Sequence, residues 1–166
     1  MGPAWHPEAM TSDGTPSLEQ LIRQEHELQF ERFDFDTAWE LGVALVQAAR
    51  AADAPLTVDI RRNGHQLFHA ALPGTAPDND RWIERKTRVV DRFGHASLYV
   101  GERARTQGTT FEDQMRLDPD RYAAHGGAFP LTVRGTGVVG TIAVSGWPQQ
   151  QDHDFVVETL RRFLQH

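Results

Sequence analysis

The sequence predicts an α+β fold in which helices cover a mainly antiparallel sheet, rather than a doubly wound parallel one. Two observations carry this. Asn63-Gly64, set between alternating apolar and polar residues, is a hairpin signature, and a second β-rich stretch, "HGGAFPLTVRGTGVVGTIAVSG", runs from His125 to Gly146. Segments with helical apolar spacing lie before, between and after these two strand groups, so the strands come in hairpin-like clusters separated by helices.

The elements follow in order. Pro16-Ser17 opens a first helix: Ser17 and Gln20 have capping-box spacing, and Leu18, Leu21 and Ile22 form one apolar side. Leu28, Phe30 and Phe33 read as a short strand or extended connection. Asp36 or Thr37 is the expected cap of the next helix, whose Ala38, Leu41, Gly42, Leu45, Val46, Ala49 and Ala52 recur at helical spacing up to Pro55. Leu56, Val58 and Ile60 make a strand, and residues 67–72 return as its partner. Asp78 begins a helix reaching Phe93, with Gly94 in place to end it. Residues 97–105 read as helix and residues 110–117 as a short helical turn. Residues 122–124, 129–133 and 138–144 are expected as strands of a meander. A last helix covers residues 150–165, with Phe155, Val156, Thr159, Leu160 and Phe163 on one side.

Composition narrows the function classes. At 166 residues the chain suits a single domain over residues 17–166, preceded by a flexible polar leader over residues 1–16. No apolar run approaches the roughly 20 residues of a membrane span, and the start lacks the basic and apolar regions of a secretory signal, so no membrane role is expected. The absence of cysteine excludes disulfides, thiolate metal sites and a cysteine nucleophile, and fits the cytoplasm. A net charge of -6 argues against nucleic-acid binding through the phosphate backbone.

One residue breaks its pattern. In "NDRWIERKTRVVDRF", Arg81, Arg85, Arg88 and Arg92 form one stripe, and Trp82, Val89 and Phe93 form an opposite one with Lys86 at its centre. An unpaired ammonium in a core is costly, so Lys86 either lays its stem over the core edge with its head in water or sits in a pocket facing an anion. The arginine stripe reads most simply as a solvated face.

His65 and His69 share a strand face at about 13 Å, too far for one metal. "DHD" at 152–154 suits the electrostatics of a helix start better than a metal site, and no metal is expected. His125 stands before Gly126-Gly127, where the backbone can approach a ligand, and a simple turn histidine fits equally. No Ser-His-Asp order, P-loop or dinucleotide fingerprint is present.

The fragments "DTAWELG", "DNDRWIERK", "HGGAFPL" and "GVVGTIAVSGWPQQQDHDFV" together resemble the GlcG/HbpS-like family, often labelled a haem-degrading domain, and within it a short cytoplasmic branch; the resemblance covers residues 18–164. It implies a profilin-like fold, a central antiparallel sheet of about five strands flanked by helices, and homo-oligomers from dimers to rings. Relatives are linked to haem binding or breakdown, glycolate utilisation and corrinoid enzymes. By position, the candidate ligand cavity takes in Gly126, Gly127, Phe129 and Pro130, with Trp82, Arg85 and Lys86 nearby. Pro130 is expected to end or edge a strand. Haem is the cofactor the resemblance raises, although no CxxCH motif is present and no histidine stands out as an axial ligand.

Three functional readings follow. The first is an oligomeric small-molecule-binding protein whose anionic organic ligand, a carboxylate or tetrapyrrole, meets Lys86, Arg85, His125 and the double-glycine bend. The second is an assembly or adaptor protein using Trp82, Trp147 and the arginine stripe to build a homo-oligomer and dock a protein partner. The third is an enzyme with His125 or His153 as general base.

Overall fold

The computed structural model describes residues 14–165. The chain runs α1 (Leu18–Glu27), α2 (Phe35–Ala51), β1 (Thr57–Arg62), β2 (His65–Ala71), α3 (Pro77–Phe93), α4 (Ser97–Thr106), α5 (Phe111–Met115), β3 (Ala128–Val133), β4 (Gly137–Ser145) and α6 (Gln149–Leu164). The strands form one antiparallel sheet in the order β2-β1-β4-β3. Thirteen residues of the expected leader, 1–13, lie outside the described residues; Thr15 and Pro16 are buried.

Strand alternation sorts the helices onto two faces. Val58 and Ile60 of β1 pair with Val144 and Ile142 of β4, and all four join Leu41 and Leu45 of α2 and Val156 and Leu160 of α6 in the main core. The intervening Ala143, opposite Ala128 of β3, faces the other way and packs with Ile83 and Val90 of α3. The sheet is therefore a layer between α2 and α6 on one side and α3 on the other.

Two details differ from the expectations, the cap of α2 and the number of strands, while the stretch around Phe30 is the extended connection. The cap of α2 is Asp34: its carboxylate accepts from the Thr37 amide at 2.8 Å while the Thr37 hydroxyl accepts from the Asp34 amide at 3.4 Å. This reciprocal pairing needs the i, i+3 spacing that Asp34 and Thr37 have. The sheet has four strands, because residues 122–124 do not join it; the Ala123 amide donates to the Arg85 carbonyl at 3.2 Å and ties this segment to α3. The stretch around Phe30 adds only a single parallel bridge to Val133. In that bridge the Phe30 amide donates to the Thr132 carbonyl and the Arg134 amide donates to the Phe30 carbonyl, and the Ser97 hydroxyl meets the amide and carbonyl of Ala128, so the even-numbered residues of β3 turn their polar groups away from β4. Pro130 shares that parity, and its missing N–H costs the ladder nothing.

Candidate functional site

The site begins with the Lys86 anomaly. Helix α3 buries Ile83, Lys86, Thr87, Val89 and Val90, and Lys86 is 2% exposed. Its ammonium donates to the Val144 carbonyl at 2.7 Å and the Gly126 carbonyl at 3.1 Å, and meets Asp152 Oδ2 at 3.5 Å. An ammonium has three hydrogens, and here each has an acceptor.

Asp152 completes the brace. It lies in the first turn of α6, where Oδ1 accepts from the Trp147 amide at 2.9 Å and Oδ2 from the Gly146 amide at 3.3 Å. Burial pushes its carboxyl up to about 6, with the Lys86 charge and the two amides pulling the other way. Burial likewise pushes the Lys86 ammonium down, opposed by Asp152. One ion pair thus ties α3, the end of β4, the double-glycine bend and the start of α6 together.

The bend needs its glycines. A Cβ at Gly126 would overlap the Gln149 carbonyl, and Gly127, at φ +132°, has the Lys86 ammonium and the Val144 carbonyl where a side chain would stand. The Gly126 amide donates to the Gln149 side chain at 3.1 Å, which fixes the bend to α6.

In front of this brace lies a cleft of about 240 Å³. Asp78, Asn79 and Trp82 of α3 form one wall, and His125 and Gly126 a second. Ser145 at the end of β4, Gly146 and Trp147 beyond it, and Gln149 and Asp152 of α6 close the third. Neither N-cap residue, Ala76 of α3 or Pro148 of α6, offers a side-chain acceptor; at α3 the Asn79 side chain accepts from the Ala76 amide at 2.8 Å, and the first turns of both helices line the cleft. The Asn79 amide donates to Ser145 Oγ at 3.3 Å, which leaves the Ser145 hydroxyl hydrogen for another acceptor. His125 sets its ring edge against Trp82, centroids 5.3 Å apart, while the Arg85 guanidinium sits 4.5 Å over the indole. Partial desolvation lowers the His125 pKa, the Arg85 and Lys86 charges adding to it against the pull of Glu112.

Among the expected site residues, the structure brings Lys86, Trp82, His125 and Gly126 to the cleft. Arg85 braces Trp82 and donates to the Pro119 carbonyl at 3.0 Å, and Gly127 stands behind the wall against Lys86. Phe129 and Pro130 lead away along β3; Phe129 is core. His153 is 1% exposed and points to the interior, donating through Nε2 to Gln24 Oε1 at 2.8 Å. Burial takes its pKa down to about 4. The arginine stripe is not a bare solvated face: Arg88 donates to the Arg121 carbonyl at 3.1 Å and Arg92 lies 5.8 Å from the Tyr122 ring, so the stripe pins residues 118–122. Sequence reasoning missed Asp152, Ser145, Asn79 and Gln149 as site residues. The signal for Asp152 was present in the "DHD" segment: a buried lysine asks for a carboxylate, and this one opens the helix after the β-rich stretch.

Comparison with known proteins places the chain in a family. The model of a family described as "Haem degrading protein HbpS-like" matches residues 33–161. A UPF0303 protein of Streptomyces coelicolor is 59% identical over 154 residues, covering 93% of this chain and 98% of its own. The crystal structure of the Ybr137w protein superposes with a TM-score of 0.82 at 33% identity, over 89% of this chain and 87% of that one. A crystal structure of a PduOC:heme complex shares the fold at a TM-score of 0.64 and 18% identity, over 79% of this chain and 94% of that one.

Proposed function

We propose, for a chain that belongs to the HbpS-like family of haem degrading proteins, that the cleft in front of Lys86 binds a small anionic organic molecule. The observation that carries this reading is the convergence of the first turns of two helices and one buried ammonium on a single polar cleft. Because the three hydrogens of Lys86 are already engaged, that residue supplies field and shape rather than a direct contact. The contacts fall to the Ser145 hydroxyl, the Gln149 side-chain amide and His125, with Trp82 as a flat wall. Asp78 and Asp152 stand in the same cleft and favour a ligand with a neutral or donor-bearing part beside its acid group.

Haem, present in the PduOC complex, does not fit this cleft. His125 has the chemistry of an axial ligand, but about 240 Å³ is below even the roughly 300 Å³ lower end of drug-sized sites. The ligand class supported here is therefore a small carboxylate.

Thermal melting with oxalate, succinate, benzoate and inorganic phosphate tests the reading. A ligand at a hundred times its Kd adds about 2.7 kcal/mol, and Ser145→Ala and His125→Ala should each reduce that gain. No stabilisation by any of these anions sinks it.

A second reading, self-assembly, is favoured by a different observation. Phe35 and Trp39 are 62% and 64% exposed on α2, beside the edge strand β2. Trp39 packs against Phe68, and Arg62 lies 4.8 Å over the Phe35 ring, so a rigid aromatic patch faces outward. Trp82 and Trp147, which the sequence offers as interface residues together with the arginine stripe, line the cleft. Light scattering should give a multiple of the chain mass, falling to a smaller species in Phe35→Ser/Trp39→Ser; an unchanged mass in that variant removes this patch from the assembly.

A further inference from the structure

A second hollow, unconnected with the reading above, runs where α2, α6 and the segment 30–32 meet. Its volume is about 760 Å³, within the range of small-molecule sites. Ala44 and Ala48 give it a low floor, and Phe30, Phe163 and Leu164 give it apolar walls. From Thr37 to Ala48 it follows α2 for three turns, about 16 Å.

Its rim carries an unmatched charge. Arg162 is exposed, lines the hollow, and its guanidinium makes no hydrogen bond or ion pair among the described residues. The neighbouring Arg161 is the one that holds Glu158, at 3.1 Å. Of the two carboxylates lining the hollow, Glu31 is taken by Arg134 at 2.9 Å, which leaves Glu40 against Arg162 and Arg32. A guanidinium over an apolar trough suits a molecule with an aliphatic body and one planar acid end, which the fork can grip through two hydrogen bonds.

We propose that the α2–α6 hollow binds an amphiphilic carboxylate, its aliphatic chain laid over Ala44 and Ala48 between Phe30 and Phe163 and its head group paired with Arg162. The small floor residues leave the depth a chain needs, and the unmatched rim charge chooses an anion over a neutral or cationic amphiphile. The ligand differs from that of the cleft in shape and in the residues that hold it, so failure here leaves the cleft reading standing.

Calorimetric titration of the full chain with sodium dodecanoate, kept below its micelle concentration, tests this against hexanoate and dodecyltrimethylammonium. Dodecanoate should bind once per chain, hexanoate far more weakly and the cation not at all. Arg162→Gln, at an exposed position, should weaken dodecanoate about ten-fold, and Ala44→Phe should abolish binding while keeping the wild-type melting temperature. If Ala44→Phe fails to fold, Arg162→Gln decides alone. Equal binding of the cation, or an Arg162→Gln variant that binds as wild type, overturns the proposal. So does an absence of dodecanoate binding, whether Ala44→Phe then breaks an oligomer, marking a second copy as the occupant, or leaves the mass unchanged.

Discussion

Lys86 and Asp152 form a buried pair whose value lies in what it joins. Each charge pays for leaving water only if the other is present, and each also holds backbone groups that would otherwise be orphaned. Removing one partner should therefore cost more than removing both. Lys86→Met should destabilise by about 3 to 5 kcal/mol, since it strands Asp152. Lys86→Met with Asp152→Leu should recover part of that loss, although the amides of Gly146 and Trp147 lose their acceptor. Urea midpoints for the two single variants and the double variant measure the coupling. A double variant as unstable as the sum of the singles would mean that the two charges do not interact. The anomaly at Lys86 was legible because α3 is strongly amphipathic, which makes a cation on the apolar side stand out. Its partner was not, because Asp152 lies 66 positions away and only the folded chain sets it against Lys86.

At the level of elements, what could be read depended on how local the cause was. The α2 and α3 helices, the Asn63-Gly64 hairpin and α6 rest on spacing within a few turns, and they stand within a residue or two of expectation. Residues 122–124 have strand-like composition, yet their neighbours are arginines of α3; Arg85 and Arg88 take carbonyls from the segment 119–121 and hold it away from the sheet. That is a tertiary override of local propensity, and it also explains four strands where about five were expected. The cap of α2 shows a finer case: Asp34, Asp36 and Thr37 all carry capping side chains, and the choice among them turns on Phe35 entering the helix as its first residue. The cleft is likewise a product of element ends. Its walls are the start of α3, the bend at His125 and Gly126, and the junction of β4 with α6, three segments well separated in sequence. Sequence could nominate Trp82, His125 and Gly126, but not the meeting of two helix N-termini.

For the whole molecule, two buried titrating groups one residue apart impose opposite dependences on pH. His153 ordinarily titrates at 6.5, and burial holds it down to about 4. The unfolded chain therefore takes up its proton first, and the stability that neutral His153 contributes is complete above pH 6.5 and is lost as the pH falls toward about 4. Asp152 runs the other way. Its carboxyl, ordinarily at 3.8, is held up to about 6, so the folded state binds the proton more readily. That contribution is complete below pH 3.8 and is lost as the pH rises through about 6. Between about pH 4 and 6 the two slopes oppose, so the joint contribution of these two groups should change little across that window. His153→Gln removes one slope and keeps a donor for Gln24. Its urea midpoint should then rise on going from pH 6.5 to 4.5 relative to wild type measured in the same buffers. Parallel curves for the two proteins would mean that His153 is not held neutral by the fold, and the acid stability would have to be sought in the exposed carboxylates instead.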